Sequence, residues 1–152
     1  MNINLKWKYF DDLSRDELYE ILCLRQKVFI VEQNCPYLDS DYADQKAYHL
    51  LGYRNEKLIC YLRAFAPGIK CKESSIGRII TSIEARKEGL GKKITEEAIL
   101  FLTNHFPGNN IVISAQHRLL KFYQNLSFVE RGDVYLEDDI DHIEMCLECP
   151  KR

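Results

Sequence analysis

Ile79-Ile80-Thr81-Ser82-Ile83-Glu84-Ala85-Arg86-Lys87-Glu88-Gly89-Leu90-Gly91-Lys92 is the stretch on which the reading of the fold turns. An apolar run ends, a short polar turn carries two glycines at i and i+2, and a helical period begins. Around it the pattern extends to a full strand-helix-strand unit. Ser74 to Ile83 reads as a strand, and Gly89 to His105 as a helix with Leu90, Ile94, Ala98, Phe101 and Leu102 on one face. Pro107-Gly108 stops that helix, and Ile111 to Ser114 is a short buried strand. Two strands joined by a helix pair in parallel through a right-handed crossover.

Upstream, Ile3 to Phe10 alternates apolar and polar residues and reads as a strand. Ser14-Arg15-Asp16-Glu17 fits a capping box, and a helix follows with the apolar stripe Leu18, Ile21, Leu22, Val28 and Phe29. Gln33 to Lys46 is polar, holds Pro36 and three aspartates, and reads as a loop. Tyr48 to Tyr53 and Leu58 to Ala66 are strands joined by the hairpin Arg54-Asn55-Glu56-Lys57. Downstream, Arg118 to Leu126 is a short helix, and Val129 to Leu136 with His142 to Leu147 forms a closing hairpin. The order is β-α-β-β-β-α-β-α-β-β. It predicts an α/β (α+β) fold with a mixed, largely antiparallel sheet flanked by helices. No linker or repeat divides the chain, so residues 1–152 are expected to form a single domain.

The composition narrows the function. With 21 basic and 23 acidic side chains the formal net charge is −2, which speaks against a nucleic-acid or membrane-surface partner. Apolar runs are only a few residues long, and Met1 to Lys8 has no apolar leader core. Six cysteines lie partly in apolar surroundings, as Cys60 does, and suit free thiols in the cytoplasm. Cys146-Leu147-Glu148-Cys149 has metal-like spacing, but a zinc site needs four ligands and no second such pair exists; no metal is expected.

The turn at 86–92 carries the chemistry. Unpaired amides at a helix N-terminus, with the helix dipole, favour an anion, and glycine lets backbone approach a phosphate. Arg86, Lys87, Lys92 and Lys93 gather at this end, where cations are intrinsically unfavourable unless an anion binds. Neither a Walker loop nor a dinucleotide fingerprint is present. The plainer alternative is a strand-turn-helix with surface lysines.

Arg86-Lys87-Glu88-Gly89-Leu90-Gly91 resembles the Arg/Gln-x-x-Gly-x-Gly/Ala signature of the GNAT acetyltransferase superfamily. Leu24-Arg25, Val28-Phe29, Val31 to Tyr37 and Asp39-x-Asp41 resemble its ElaA-like branch. The resemblance implies acetyl-coenzyme A as acetyl donor. Its pyrophosphate would lie on the turn formed by Arg86, Lys87, Glu88, Gly89, Leu90, Gly91 and Lys92. Its pantetheine arm would pair with Ile79, Ile80 and Thr81 as an added strand. A backbone amide of that strand would polarise the thioester carbonyl. Arg118 to Phe128 resembles the second signature, with Ser127 in place of its glycine. Tyr123 then corresponds to the general acid that protonates the departing thiolate, and Gln116 falls where a cofactor-binding asparagine is common. The implied reaction is direct attack of a primary amine on acetyl-coenzyme A. A non-catalytic acyl-CoA sensor is the competing reading.

The acceptor is expected on the acidic side. Glu32, Asp39, Asp41 and Asp44 form a segment with no lysine or arginine, which suits a cationic small-molecule or peptide amine. Arg25 and Glu32, seven residues apart, both fall within the apolar stripe on a helical wheel, so they need partners: each other, or an acid of the loop. Glu32 is the candidate base or anchor; Arg25, Asp39, Asp41 and His49, with Arg63 nearby, are candidates to line the cleft. Asp39-x-Asp41 lacks the later residues of a calcium loop. The acidic Glu137-Asp138-Asp139 tip is long enough to reach a second subunit, which makes a homodimer an expectation.

Overall fold

Ser14 opens the first helix as its sequence demands. Its Oγ accepts from the Glu17 amide at 3.0 Å, and the Glu17 carboxylate accepts from the Ser14 amide at 2.9 Å. The structure is a computed structural model that describes residues 2–150. Strand β1 (Asn4–Tyr9) leads through a turn into helix α1 (Arg15–Arg25). The helix does not continue as α: Gln26–Glu32 winds as a π-helix. That wider winding takes more residues per turn, so a 3.6-residue wheel loses its register beyond Arg25. This is why Glu32 is exposed while Arg25, seven residues earlier, is fully buried.

β2 (Tyr48–Arg54), β3 (Lys57–Phe65), β4 (Ser74–Thr81), α2 (Leu90–His105), β5 (Ile111–Gln116), α3 (Leu120–Gln124), β6 (Val129–Glu130), β7 (Tyr135–Glu137) and β8 (Ile140–Leu147) follow. The sheet order is β1-β2-β3-β4-β5-β8-β6, with β7 also on β8. β1, β2 and β3 pair antiparallel, β4 and β5 parallel through Ser74↔Ile111 and Ser75↔Val112, and β5 and β8 antiparallel. The mixed, largely antiparallel sheet with helices is the architecture the sequence implied.

The chain divides into two compact units. One comprises the chain up to Ala64 with Arg78–Thr95, the other Phe65–Gly77 with the chain from Glu96 onward. In the first, Ile21 and Leu24 of α1 pack on Leu51, Leu58, Tyr61 and Ile80. Leu58 and Tyr61 share that face because of a bulge: Gly52 opposes Cys60 and Tyr53 opposes Leu58, leaving Ile59 as the extra residue. A Cβ on Gly52 would meet the Cys60 sulfur at 2.2 Å, so the Cys60 side chain occupies the space that glycine leaves there. The Asn55-Glu56 hairpin, with φ of 48° and 62°, has the left-handed geometry of a two-residue turn.

In the second unit β8 pairs with β5 from Ile111↔Leu147 to Gln116↔His142. The expected strand Val129 to Leu136 proves to be two, β6 and β7, both on β8. Arg131 still holds Glu144 in the β6 register, by its amide (2.8 Å) and its Nε (2.8 Å), and the break follows at Gly132, which takes φ 90° before β7 resumes with Tyr135 on His142. The expected helix 118–126 begins as a 3-10 turn at His117–Leu119 before α3.

Candidate active site

Thr81 ends β4, and Ser82 begins the turn by donating its amide to the bulged Ile59 carbonyl at 2.8 Å. The β3 bulge therefore anchors the start of the 82–89 segment. Ile83–Ala85 forms a 3-10 turn, and Ala85 and Leu90 pack on Ile59. Between these anchors Arg86 to Gly89 is exposed. Lys87 and Gly89 take φ of 66° and 75°. The first α2 bond runs from the Lys93 amide to the Gly89 carbonyl at 3.1 Å, which leaves the amides of Leu90, Gly91 and Lys92 ahead of the ladder. A Cβ built on Gly89 meets nothing within 4 Å, so the space beside this turn is open. Left-handed residues that turn successive amides to one side, at a positive helix end, make a cradle for a phosphate. The residues present fit a pyrophosphate.

The charges of this turn are paired at the surface. Arg86 binds Glu32, at 2.7 Å for Nη2 to Oε2, and reaches the Thr81 carbonyl at 3.3 Å. Glu88 holds Arg54 at 2.5 and 3.2 Å, and Glu84 pairs with Lys57. Glu32 thus sits at the 82–89 turn, and with Leu24, Val28, Leu58 and Ile83 it lines a cavity of about 360 Å³.

The other residues expected on the acceptor side are brought together elsewhere in this unit. Arg25 lies fully buried between Asp39 (Nε to Oδ2, 2.7 Å) and Asp44 (Nη1 to Oδ1, 2.7 Å). It pairs with loop acids and not with Glu32. Arg63 joins Asp41 (2.5 Å) and Asp44 (2.7 Å). Burial works against the charged forms of Asp41 and Asp44, yet Arg63 and Arg25 hold both carboxyls below the usual range. His49, also fully buried, donates from Nε2 to the Asp44 carbonyl (2.9 Å), and its Nδ1 accepts from the Tyr61 hydroxyl (2.7 Å). Burial depresses its pKa and keeps the ring neutral.

Sequence reasoning missed Arg78, which completes this network. Its Nε donates to Asp39 Oδ1 at 2.7 Å. The residue holds φ 52° inside β4, a conformation that costs a side-chain-bearing residue roughly 1–2 kcal/mol. The available signal was one arginine within the apolar run Ile76 to Ile80.

In the second unit, Tyr123 is 7% exposed, packs edge-on to Phe122 and Phe128, and has its phenol pushed up to about 12 by burial. Ser127 takes φ 71° where the signature has glycine, and the turn closes with the Phe128 amide on the Tyr123 carbonyl at 3.1 Å. The turn survives the substitution. Gln116 ends β5 and accepts from Arg118 at 2.9 Å.

Comparison with known proteins agrees with this architecture. Residues 12–149 match the acetyltransferase (GNAT) domain family. A UPF0039 protein of Synechocystis is 40% identical, covering 99% of this chain and 98% of its own. ElaA of Escherichia coli is 36% identical, covering 95% of this chain and 97% of its own; its crystal structure matches with a TM-score of 0.91. An acyl-CoA N-acyltransferase from Pseudomonas aeruginosa, 37% identical over 95% of this chain and 99% of that one, gives the same TM-score. The fold and these likenesses lead to one conclusion: the chain belongs to the GNAT family of acyl-CoA acyltransferases.

Proposed function

We propose that the protein moves an acetyl group from acetyl-coenzyme A to the primary amine of a small molecule or peptide in the cytoplasm. The observation that supports this best is the open turn with Lys87 and Gly89 left-handed and the Leu90, Gly91 and Lys92 amides ahead of the α2 ladder. Arg86, Lys87, Glu88, Gly89, Leu90, Gly91 and Lys92 hold the pyrophosphate. The extended backbone of Ile79, Ile80 and Thr81 takes the pantetheine arm as an added strand, with Gln116 as a further cofactor contact. When bound, acetyl-coenzyme A supplies an activated thioester. The amine nitrogen attacks the thioester carbon as its bond to sulfur breaks, Tyr123 Oη gives its proton to the departing sulfur, and the proton shed by the nitrogen returns through water to restore the phenol. A phenol near 12 stays protonated at neutral pH, and giving that proton to a thiolate of ordinary pKa, ~8.5, is uphill by about 5 kcal/mol. That is affordable within the barrier reduction that enzymes achieve. On the acceptor side, buried Arg25, Asp39 and His49 act by fixing the loop, while the more exposed Asp41 and Glu32 are held by Arg63 and Arg86.

Calorimetry with coenzyme A tests the reading. Wild type is expected to bind, and Gly89→Asp to lose binding because a carboxylate enters the phosphate cradle. Absence of binding at millimolar concentration by wild type overturns the proposal. Tyr123→Phe should retain binding and lose roughly ten- to a thousandfold in kcat; wild-type turnover would return Tyr123 to a packing role.

A further inference from the structure

We propose that Arg78 is a positioning residue: clamped on Asp39, it holds β4 in a left-handed kink that aims the backbone amides of Ile79 to Thr81 toward the acyl donor. The inference rests on the reading of that backbone as the donor's strand.

A strand alternates the direction of successive amides, and a left-handed residue interrupts the alternation for those that follow. Such a kink is ordinarily left to glycine. Here Gly77 precedes it, yet Arg78 carries the positive φ of 52°. The side chain explains why the conformation holds. Nε donates to Asp39 Oδ1 at 2.7 Å, and Nη2 donates to the Asp39 carbonyl at 3.0 Å. The guanidinium lies 5.9 Å from the Phe29 ring centre and 6.0 Å from that of Tyr37. Two hydrogen bonds and two rings leave the guanidinium plane little freedom, so the backbone carrying it is fixed as well.

The anchor is itself immobile. Arg25, with no exposure, grips Asp39 through Nε on Oδ2 at 2.7 Å and Nη2 on the carbonyl at 3.1 Å. The Tyr37 hydroxyl donates to Oδ1 at 3.0 Å. Asp39 therefore ties α1, the acidic loop and the kink of β4 to one buried carboxylate. The kink lies directly before the three residues whose amides are proposed to meet the donor. Over-determined backbone strain next to a reacting group is a recurring form of pre-organisation.

Arg78→Ala and Arg78→Gly separate the clamp from mere packing, because glycine permits the left-handed φ that alanine resists. Both variants should bind free coenzyme A within about threefold of wild type, since the pyrophosphate turn is untouched. Turnover should fall roughly ten- to a hundredfold in Arg78→Ala, and less in Arg78→Gly. The carbon-13 resonance of a labelled acetyl carbonyl in bound acetyl-coenzyme A should move toward its free position in the same order. In the free protein, hydrogen exchange at Ile79 to Thr81 should quicken most in Arg78→Ala. Unchanged turnover and carbonyl resonance in Arg78→Ala overturn the clamp, as does Arg78→Gly faring no better than Arg78→Ala. Lowered melting with an unmoved carbonyl signal overturns it too. Failure of wild type to bind coenzyme A would instead defeat the acyl-donor reading, and the exchange rates would still decide whether Arg78 holds the kink.

Discussion

The first unit handles charge in two opposite ways. At the 82–92 turn, Arg86, Glu88 and Glu84 are exposed and meet Glu32, Arg54 and Lys57 at the surface, beside the left-handed backbone of Lys87 and Gly89. In the network of Arg25, Arg63 and Arg78 with Asp39, Asp41 and Asp44, the charges are buried or half-buried and each carboxylate meets two arginines. The turn can exchange partners, because an exposed pair gains little and loses little when an anion arrives. The network cannot, because opening it strands a charge in the interior. On the proposed reading, binding falls to labile charges over backbone, and rigidity to charges whose opening strands an ion in the interior.

Breaking the network is the largest effect to expect. Arg25→Ala leaves Asp39 and Asp44 short of a partner within the core, and should cost about 3–5 kcal/mol, against under 1 kcal/mol for Arg86→Ala at the turn. Out of a typical 5–15 kcal/mol for a domain, the first loss is severe and the second barely visible. Urea unfolding of both variants measures the contrast. Equal losses would mean that the two charge systems do not differ in kind.

The same contrast decides what could be read from the sequence. The strand order, the capping box at Ser14 and the turn at 86–92 were legible, because each depends on residues close together in the chain. The partners of Arg25 were only half legible. A helical wheel placed Glu32 beside it, but the π-winding of Gln26–Glu32 turned Glu32 outward, and the true partners are 14 and 19 residues away. No local pattern announces that winding. Asp39 and Asp41 were picked out for their charge and His49 for its place on the first hairpin, which says where they are polar but not that Arg25, Arg63 and Arg78 have already taken the carboxylates, and Asp44 and Tyr61 the imidazole. Val129 to Leu136 alternates like one strand, and only the left-handed Gly132, with the register shift that follows it on β8, shows where it breaks.

Acid should open the network in two stages. His49 has a folded pKa below its ordinary value of ~6.5, so below that pH the unfolded chain takes up a proton that the folded one refuses. Its contribution is present above about pH 6.5 and is lost as pH falls. Asp41 and Asp44 are also depressed in the folded state, against an ordinary ~3.9, so their contribution persists above about pH 4 and is lost below it. Unfolding free energy measured from pH 7 to 3 should decline gently at first and then steeply. His49→Gln should flatten the upper limb and leave the lower one. A single transition near pH 4, the same in both proteins, would mean that His49 is not held neutral.

The smallest stability effect belongs to Glu32→Gln, and it discriminates most finely between the two regions. Glu32 meets Arg86 with side chains 30% and 38% exposed, so removing its charge should alter stability by well under 1 kcal/mol. If Glu32 is the resting partner of a phosphate-binding arginine, its neutralisation frees Arg86. Coenzyme A should then bind more tightly, by a factor of up to about five, since that is all an exposed pair is worth. The acceptor's KM and the pH profile of kcat should stay in place. If Glu32 instead serves the acceptor amine, coenzyme A affinity should hold still while the acceptor's KM rises, kcat falls or the profile moves to higher pH. Calorimetry with coenzyme A and a pH–rate profile on this one variant separate the outcomes. Because Glu32 is found on Arg86 and apart from Arg25, the affinity for coenzyme A is the quantity expected to move.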